Sequence, residues 1–371
     1  MKKILFVCGG TAGHINPAIS VATTIRAMHK DIDIVFAGNP NGMEARLVKK
    51  ADFPFYPFKA MGIQRQITPQ NIVKNIKSVG LLTTAEIRAK KLLREINPDI
   101  VVGTGGYVSG PIVMTAEKLN IKTVIHEQNA FPGVTNKLLS KKATRVCLAV
   151  GRAREHFPID REFIITGNPV RPEILLADRN IARRELNIKP NDFCILSFGG
   201  SLGAEKVNRA IAEVMKWHNG RDGFHHIHAT GRYGTELLPE LLDERNVNYK
   251  NNTNIDIREY IDNMAQCLAA ADVVICRAGA ITISELLAVG KAAIIIPSPN
   301  VAENHQYHNA KVLVDNNAAI MIEEKNLDAD TIVRELSDLK ENPERLHRIE
   351  QNAKNMAILN ANEKIAEIIL N

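Results

Sequence analysis

The strongest constraint on the fold is a short pattern that occurs twice in the chain. ILFVCGGTAG at residues 4–13 and CILSFGGSLG at 194–203 each join an apolar run to two glycines, a hydroxyl residue, a spacer and a further glycine. An apolar run that ends in glycines and leads into a helix is typical of the first strand and turn of a parallel α/β domain. Two such copies predict two similar domains.

The remainder of the chain alternates short apolar runs with amphipathic stretches, which predicts an α/β class with helices on both faces of parallel sheets. A length of 371 residues also favours two domains. Two prolines and a glycine in TGNPVRP mark residues 166–172 as the linker. We therefore expect domains at 1–165 and 173–350, and a C-terminal helix at 351–371 that packs back on the first domain.

Charge is divided unevenly along the chain. Residues 1–170 contain 24 Lys and Arg against 12 Asp and Glu, a net charge of +12, while the remainder has 23 against 29, a net charge of −6. Such asymmetry suggests that the first part meets an anionic partner (nucleic acid, a lipid surface or a phosphorylated substrate), and the alternative is a scatter of solvated lysines. Binding to nucleic acid is disfavoured, because no basic stripe is interleaved with aromatic residues and the single tryptophan, Trp217, lies in the acidic part.

Glycine turns between a strand and a helix predict phosphate binding, since they present backbone N–H groups and the positive end of the helix dipole. A third glycine cluster, GTGGYVSGP at 103–111, also follows a predicted strand. An NAD site would need glycine in place of Thr11 and an acid where AGN stands at 37–39, and an ATP loop would need GK[ST]. Phosphate sites in both domains instead favour a donor and an acceptor that each carry a diphosphate.

The second domain contains a polar glycine motif and a polar loop. In CRAGAITISE at 276–285, Glu285 is placed either to accept hydrogen bonds from a ribose diol or to form a capping box with Thr282. The loop PSPNVAENHQ at 297–306 is too polar for a core segment and is placed to contact a sugar.

Seven motifs follow one another along nearly the whole chain: GGTAGHINPA, GTGGYVSGP, HEQNAFPG, GNPVRPE, FGGSLGA, CRAGAITISE and HQYHNA. This ordered set closely resembles the MurG family of glycosyltransferases, in glycosyltransferase family 28. The resemblance implies a GT-B fold, with two Rossmann-like domains whose parallel sheets face each other across a cleft. It also implies inverting transfer of N-acetylglucosamine from UDP-GlcNAc to the 4-hydroxyl of the lipid-linked muramyl-pentapeptide (lipid I), giving lipid II in peptidoglycan synthesis, without a metal ion or other cofactor.

Site residues follow from the same resemblance. Those implied for UDP-GlcNAc are Thr11, Ala12, Gly13, Asn129, Arg171, Ser201, Ile261, Ala280, Ile281, Thr282, Ile283, Ser284, Glu285 and Gln306. Those assigned to the acceptor diphosphate are Gly9, Gly10, Gly105, Gly106 and Tyr107. The family pattern usually has glycine where this chain has Ala12, and the extra methyl group narrows that turn.

His14 is the candidate general base. It follows the first glycine turn, the second turn has Ala204 at the matching position, and an imidazole with a pKa of about 6.5 suits removal of a hydroxyl proton. The alternatives for His14 are a purely local hydrogen bond or a cation that holds the acceptor phosphate. Glu127 is a rival candidate for the base.

One segment of the basic half predicts contact with a membrane. A helix start at Thr68 and Pro69 precedes apolar and basic residues at helical spacing. The predicted patch consists of Ile72, Val73, Lys74, Ile76, Lys77, Val79, Leu81 and Leu82. The alternative is an amphipathic helix packed on its own sheet. We expect peripheral binding to the anionic cytoplasmic face of the bacterial cell membrane, where the lipid-linked acceptor resides.

Two other activities remain open on sequence grounds within the same fold. They are a lipid glucosyltransferase and a UDP-GlcNAc 2-epimerase, which needs no lipid acceptor.

Overall fold

The computed structural model describes residues 2–60 and 84–371, which divide into two compact units. Unit 1 comprises Met1–Pro169 with Ile358–Asn371, and unit 2 comprises Val170–Ala357. The division lies within the segment 166–172 that the sequence marks as a linker. Unit 2 continues past residue 350, because Ile349 and Ala353 of its last helix pack into its core.

Seven strands in the described part of unit 1 form one parallel sheet. They are β1 (Lys3–Val7), β2 (Asp33–Gly38), β3 (Phe55–Pro57), β4 (Ile100–Gly103), β5 (Lys122–Glu127), β6 (Arg145–Leu148) and β7 (Ile164–Ile165). Their order across the sheet is β3-β2-β1-β4-β5-β6-β7. The strands are nearly continuous apolar runs, as expected where helices cover both faces.

Helices and two apolar clusters enclose this sheet. The helices are α1 (Ala12–Met28), α2 (Met43–Lys50), α3 (84–96 of the described residues), α4 (Ser109–Lys118) and α5 (Val134–Leu139). The C-terminal helix, Ala361–Leu370, also packs on unit 1: Ile365 and Ile369 join the cluster around Phe6, and Ser20 Oγ donates to Asn362 Oδ1 at 2.9 Å.

Unit 2 repeats the same architecture with six parallel strands. They are β8 (Phe193–Phe198), β9 (Phe224–Ala229), β10 (Ile255–Arg258), β11 (Val273–Cys276), β12 (Ala292–Ile295) and β13 (Ile320–Met321), in the order β10-β9-β8-β11-β12-β13. The helices are α6 (Pro172–Leu176), α7 (Arg179–Glu185), α8 (Glu205–His218), α9 (Leu237–Glu244), α10 (Met264–Ala270), α11 (Ala280–Val289), α12 (His305–Asp315), α13 (Ala329–Glu341) and α14 (Pro343–Asn355).

The predicted fold class, α/β with two Rossmann-like domains, is confirmed. In each unit the strand order reverses beside the first strand, between β1 and β4 and between β8 and β11. Ligands of open parallel sheets bind outside the carboxyl ends of the strands at this point. The repeated glycine pattern follows β1 and β8, so the fold places both glycine turns at such positions.

None of the helices in residues 2–60 and 84–371 has the length and apolar character needed to cross a membrane. The predicted membrane patch at 72–82 lies outside the described residues.

A buried polar cluster interrupts the apolar core of unit 2. Ser197, His226 and His228 lie on one face of the sheet, and His218 approaches them from α8. Burial lowers the pKa of His228 to about 3 and that of His218 to about 4. These imidazoles are therefore neutral in the folded protein at neutral pH.

Mild acid should destabilise unit 2. Both histidines titrate near pH 6.5 in the unfolded chain but near 3 to 4 in the folded protein, so below pH ~6.5 the unfolded chain binds more protons. The free energy of unfolding is thus highest above that pH and should fall by about 2 kcal/mol for each of the two imidazoles between about pH 7.5 and about pH 5. Urea unfolding at the two pH values measures this loss. His228→Gln should make this loss of unfolding free energy smaller, whereas His347→Gln, at an exposed position, should leave it unchanged. An equal loss in the unsubstituted protein and both variants would contradict the prediction.

Candidate active site

A cavity of about 570 Å³ lies at the carboxyl ends of β8 and β11 in unit 2. Its lining includes the glycine turn after β8, the first turns of two helices and the polar loop after β12. The residues that matter below are Gly199, Gly200, Gly203, Thr282, Ser298 and Gln306.

Two of the helices that begin at this cavity, α8 and α11, have no side-chain cap. The N-cap residues are Ala204 for α8 and Gly279 for α11, and neither has a side chain that can accept from the first N–H groups. The first amides of a helix have no partner within the helix, and the helix dipole adds positive potential there. Two uncapped N-termini that line one cavity make a site for an anion.

The glycine turn after β8 requires its glycines. Gly200 and Gly203 have φ of +95° and +87°, and a Cβ on Gly203 would lie 2.4 Å from the carbonyl oxygen of Thr230. Ser201 lies at the exposed tip of this turn, and its carbonyl oxygen accepts from Arg232 N at 3.2 Å. Ser201 is not among the residues that line the cavity, so its contact with a diphosphate stays a prediction.

Arg277 and Glu324 form a charged pair in the cavity wall that the sequence analysis missed. Arg277 also donates to the carbonyl oxygens of Ile296 and Pro297 at 3.2 and 3.3 Å, and Lys206 Nζ lies 3.7 Å from Glu324. The arginine stood within the CRAGA motif, but its partner lies in a segment that carries no motif. The pair fixes the direction of the Arg277 side chain along the wall.

Gln306 is held in one orientation. Its side-chain oxygen accepts from Ala278 N at 3.2 Å and from Ser298 N at 2.9 Å. Because the oxygen is used by the main chain, the amide nitrogen is the group that Gln306 offers to a ligand in the cavity.

Glu285 forms an ion pair with Arg171. Arg171 Nε lies 2.8 Å from Glu285 Oε1, and the side chains are 41% and 8% exposed. Burial raises the pKa of Glu285, and Arg171 partly opposes this shift. The capping-box alternative for Glu285 is wrong, because Gly279 is the N-cap of α11 and Glu285 lies in its second turn.

The remaining donor residues differ in exposure. Ile261 is 3% exposed and packs in the core cluster with Ile283, so a ligand can reach it only through the main chain. The other residues of the first two turns of α11 are partly exposed: Ala280, Ile281, Thr282 and Ser284.

In unit 1 the two glycine segments predicted for the acceptor diphosphate lie against each other. A Cβ on Gly106 would lie 2.2 Å from the carbonyl oxygen of Gly9, and one on Gly10 would lie 3.2 Å from the ring of Tyr107. The contact is possible only because these positions are glycines with positive φ at Gly10 and Gly106. Gly9, Gly10, Gly105, Gly106 and Tyr107 thus come together at the carboxyl ends of β1 and β4, where Gly9 and Gly105 are buried and the other three are at least partly exposed.

His14 lies at the junction of these two segments. It is in the first turn of α1, and a Cβ on Gly105 would lie 2.7 Å from its ring. His14 Nδ1 is 3.2 Å from Thr11 Oγ1, and its carbonyl oxygen accepts from Thr104 Oγ1 at 2.7 Å. The neighbouring residues Ala12 and Gly13 open the helix, so the imidazole and the uncapped amides of α1 share one surface.

Glu127 is engaged by four donors. Its carboxylate accepts from Asn129 N at 2.9 Å, Asn129 Nδ2 at 3.0 Å, Gly133 N at 3.1 Å and Asn136 Nδ2 at 2.8 Å, and the residue is 2% exposed. A carboxylate has about four lone-pair sites, and a general base needs one directed at its substrate. This geometry disfavours Glu127 as the base and gives it the role of holding Asn129.

In unit 1 the sequence analysis missed Glu44. It is fully buried, its carboxylate accepts from Asn39 N at 3.0 Å and Gly10 N at 3.4 Å, and a Cβ on Gly42 would lie 2.4 Å from it. The Gly10 amide therefore faces a carboxylate of the protein, which weakens its assignment to the acceptor phosphate. The signal was the spacing in GNPNGME, where an acid follows the second strand by six residues.

Comparison with known proteins places this arrangement in a family. Models of the glycosyltransferase family 28 N-terminal and C-terminal domains match residues 4–148 and 194–369. The chain belongs to glycosyltransferase family 28. It is 42% identical over 367 residues to the UDP-N-acetylglucosamine--N-acetylmuramyl-(pentapeptide) pyrophosphoryl-undecaprenol N-acetylglucosamine transferase of Acetivibrio thermocellus, covering 99% of this chain and 97% of that protein.

Solved structures agree with this family 28 assignment. The crystal structure of Acinetobacter baumannii MurG superposes with a TM-score of 0.76 at 28% identity, covering 100% of this chain and 99% of that one. A UDP-GlcNAc 2-epimerase from Neisseria meningitidis bound to UDP-GlcNAc gives a TM-score of 0.66 at 14% identity, covering 99% of both chains. At 14% identity the likeness to the epimerase shows a shared fold only. The predicted resemblance to the MurG family is confirmed by the family models and by the 42% identical transferase.

Proposed function

We propose that this protein is the UDP-GlcNAc-dependent N-acetylglucosaminyltransferase that converts lipid I to lipid II in peptidoglycan synthesis. The observation that carries the proposal is 42% identity, over 99% of the chain, to a transferase of that name. The two glycine-lined sites support it, since donor and acceptor both carry a diphosphate.

The donor binds in unit 2. Its diphosphate lies against the uncapped amides of α8 and α11, with the Ser201 hydroxyl beside it. The ribose diol donates to Glu285, whose orientation Arg171 maintains, and the Gln306 amide nitrogen donates to the sugar. As the bond to UDP breaks, the helix amides stabilise the charge that develops on the leaving diphosphate.

The acceptor sugar is deprotonated in unit 1. His14 takes the proton of the muramyl 4-hydroxyl as that oxygen attacks the anomeric carbon, which inverts the configuration in one displacement. This role requires the tautomer in which Nδ1–H donates to Thr11 Oγ1, because Nε2 then carries the accepting lone pair. Thr11 thereby orients the base, and the acceptor phosphates lie against the joined glycine segments of unit 1 away from Gly10, whose amide faces Glu44.

Incubation with labelled UDP-GlcNAc and lipid I tests the proposed reaction. We expect label in lipid II and release of UDP. Formation of N-acetylmannosamine from UDP-GlcNAc alone would identify an epimerase instead, and a preference for UDP-glucose with a lipid acceptor would identify a glucosyltransferase.

We further propose that unit 1 docks on the cytoplasmic face of the bacterial membrane, where a lipid-linked acceptor remains. The described residues offer separate support: Val134 and Leu138, one turn apart on α5, are 62% and 48% exposed. Lys137 lies between them in the chain and Lys141 follows Leu138 by three residues, so basic groups lie near the apolar ones, as binding to an anionic lipid surface requires.

Ile76→Glu combined with Leu82→Glu should abolish salt-sensitive binding to vesicles of anionic lipid. Apolar side chains would enter the acyl region, and each lysine near the surface adds ~1 kcal/mol. Vesicle sedimentation measures binding, and activity on a short-chain, soluble acceptor should stay within about twofold. Leu176→Glu, at an 82% exposed position of unit 2, is the matched control and should bind normally. A folded double variant that still binds vesicles would exclude this segment as the docking site.

A further inference from the structure

A chain of buried hydrogen bonds runs beneath the glycine turn of unit 2. Its links are His218 Nε2 to His226 Nδ1 (2.9 Å), His226 Nε2 to Ser197 Oγ (2.8 Å), Ser197 Oγ to His228 Nδ1 (2.7 Å), His228 Nε2 to Asn208 Oδ1 (3.1 Å) and Asn208 Nδ2 to Thr230 O (3.0 Å). All these residues are at most 3% exposed, so water does not interrupt the chain.

The last link fixes the protonation of the imidazole next to it. The carbonyl oxygen of Thr230 can only accept, so the Asn208 amide nitrogen donates to it and Asn208 Oδ1 is the acceptor at the other side. His228 must therefore carry its proton on Nε2 and donate it to Asn208. Burial lowers the pKa of His228 to about 3, so its Nδ1 carries no proton at neutral pH.

The same reasoning continues to the far end. Since His228 Nδ1 accepts, the Ser197 hydroxyl donates to it and must itself accept from His226 Nε2–H. His226 Nδ1 then accepts from His218 Nε2–H. Every donor points the same way, and an extra proton on His226 or His228, or a missing one on any of the three rings, would break a link. The neighbouring His225 also disfavours an extra proton on His218 and His226, and Arg221 does so on His218.

The chain ends where the glycine turn rests. The Thr230 carbonyl lies so close to Gly203 that a Cβ there would be 2.4 Å away, and Arg232, two residues on, donates its N–H to the carbonyl oxygen of Ser201. The segment after β9 is thus the support on which the turn after β8 lies. Asn208 ties that support to α8, whose N-terminus lines the cavity.

We propose that Asn208 and His228 are positioning residues for the donor, which hold the Thr230 carbonyl and through it the Gly199–Gly203 turn in the geometry that binds a nucleoside diphosphate. This inference rests on the proposed function of the turn. The one-way chain fixes both residues in single orientations, since a rotated amide or a shifted proton would leave buried groups unpaired.

The unsubstituted protein provides the first test. Nitrogen-15 spectra of labelled histidines distinguish a protonated from an unprotonated ring nitrogen, and UDP is the probe. We expect His218, His226 and His228 as neutral Nε2–H tautomers, and a shift of the His228 signals when UDP is added. The Nδ1–H tautomer at His228, or no response of His228 to bound UDP, overturns the inference. Calorimetry separates that result from absence of UDP binding, which would overturn the proposed function too.

Substitutions provide the second test. His228→Leu should weaken UDP binding and raise the donor KM about tenfold, with kcat at saturating donor within about twofold. His228→Gln should restore both to within about threefold, because glutamine can accept from Ser197 and donate to Asn208. His225→Leu is the matched control: it is buried on the same strand but faces the opposite side of the sheet and takes no part in the chain. The inference is contradicted if His225→Leu and His228→Leu lose equal affinity for UDP, or if His228→Leu loses none. If His228→Leu does not fold, the tautomer and the UDP response of the unsubstituted protein decide.

Discussion

Replacement of His14 by alanine should lower kcat by ~10²–10⁴-fold while the affinity for UDP-GlcNAc changes by less than about threefold. A general base acts mainly in the transition state, so its loss affects turnover far more than donor binding. Steady-state kinetics with lipid I and calorimetry with UDP-GlcNAc measure the two effects. His14→Gln should be equally inactive, because an amide can keep local hydrogen bonds but cannot accept the proton.

A histidine at the other end of the same helix provides the control. His29 follows α1 as its C-cap residue and is exposed, so His29→Ala should leave kcat unchanged. Thr11→Val should give an intermediate loss, since it removes the group that orients the ring without removing the ring. Turnover of His14→Ala within threefold of the unsubstituted protein would exclude His14 from the mechanism.

Much of the fold could be predicted because its signals are local. Each of the runs that end in GGTAG and GGSLG predicts a buried strand, a turn that needs glycine and the start of a helix. These three elements lie within about a dozen residues of one another. Their repetition at the head of each half is enough to predict two similar units. The end of unit 2 was harder, because the break between α14 and the C-terminal helix depends on which core each helix packs against.

The missed residues depend on contacts between distant segments. Glu44 is marked in the sequence only by its spacing after the second strand, and its importance appears when its carboxylate reaches the amides of Gly10 and Asn39. Glu324 likewise lies far in the chain from Arg277. Glu127 was predicted as a rival for the general base, yet the four donors to its carboxylate favour a role in holding Asn129. Sequence identifies the chemical groups, while packing decides which of them face a substrate.

Removal of Arg171 and removal of Glu285 should lower the melting temperature by different amounts. Glu285 is 8% exposed and Arg171 is 41% exposed, so the arginine can be hydrated when its partner is lost, but the carboxylate cannot. Arg171→Ala should therefore lower the melting temperature more than Glu285→Ala, because it leaves a buried charge without its partner. Thermal unfolding of both variants measures this asymmetry, and the reverse order would contradict it.

Glu285→Ala should raise the KM for UDP-GlcNAc by roughly 10- to 100-fold and remove most of the preference for the ribose donor over its 2′-deoxy analogue. In the proposed donor site the two ribose hydroxyls donate to a charged acceptor, and each such bond is worth about 1.5–3 kcal/mol. A site built to bind a hydroxyl rejects an analogue that lacks it because its own polar group is left unpaired, and that penalty disappears with the carboxylate.

Glu173→Ala, which removes a neighbouring charge outside the ion pair, is the control and should change the KM by less than about twofold. Because Gly279 and not a side chain caps α11, the KM effect cannot arise from a lost helix cap. An unchanged donor KM in folded Glu285→Ala would restrict Glu285 to its ion pair with Arg171.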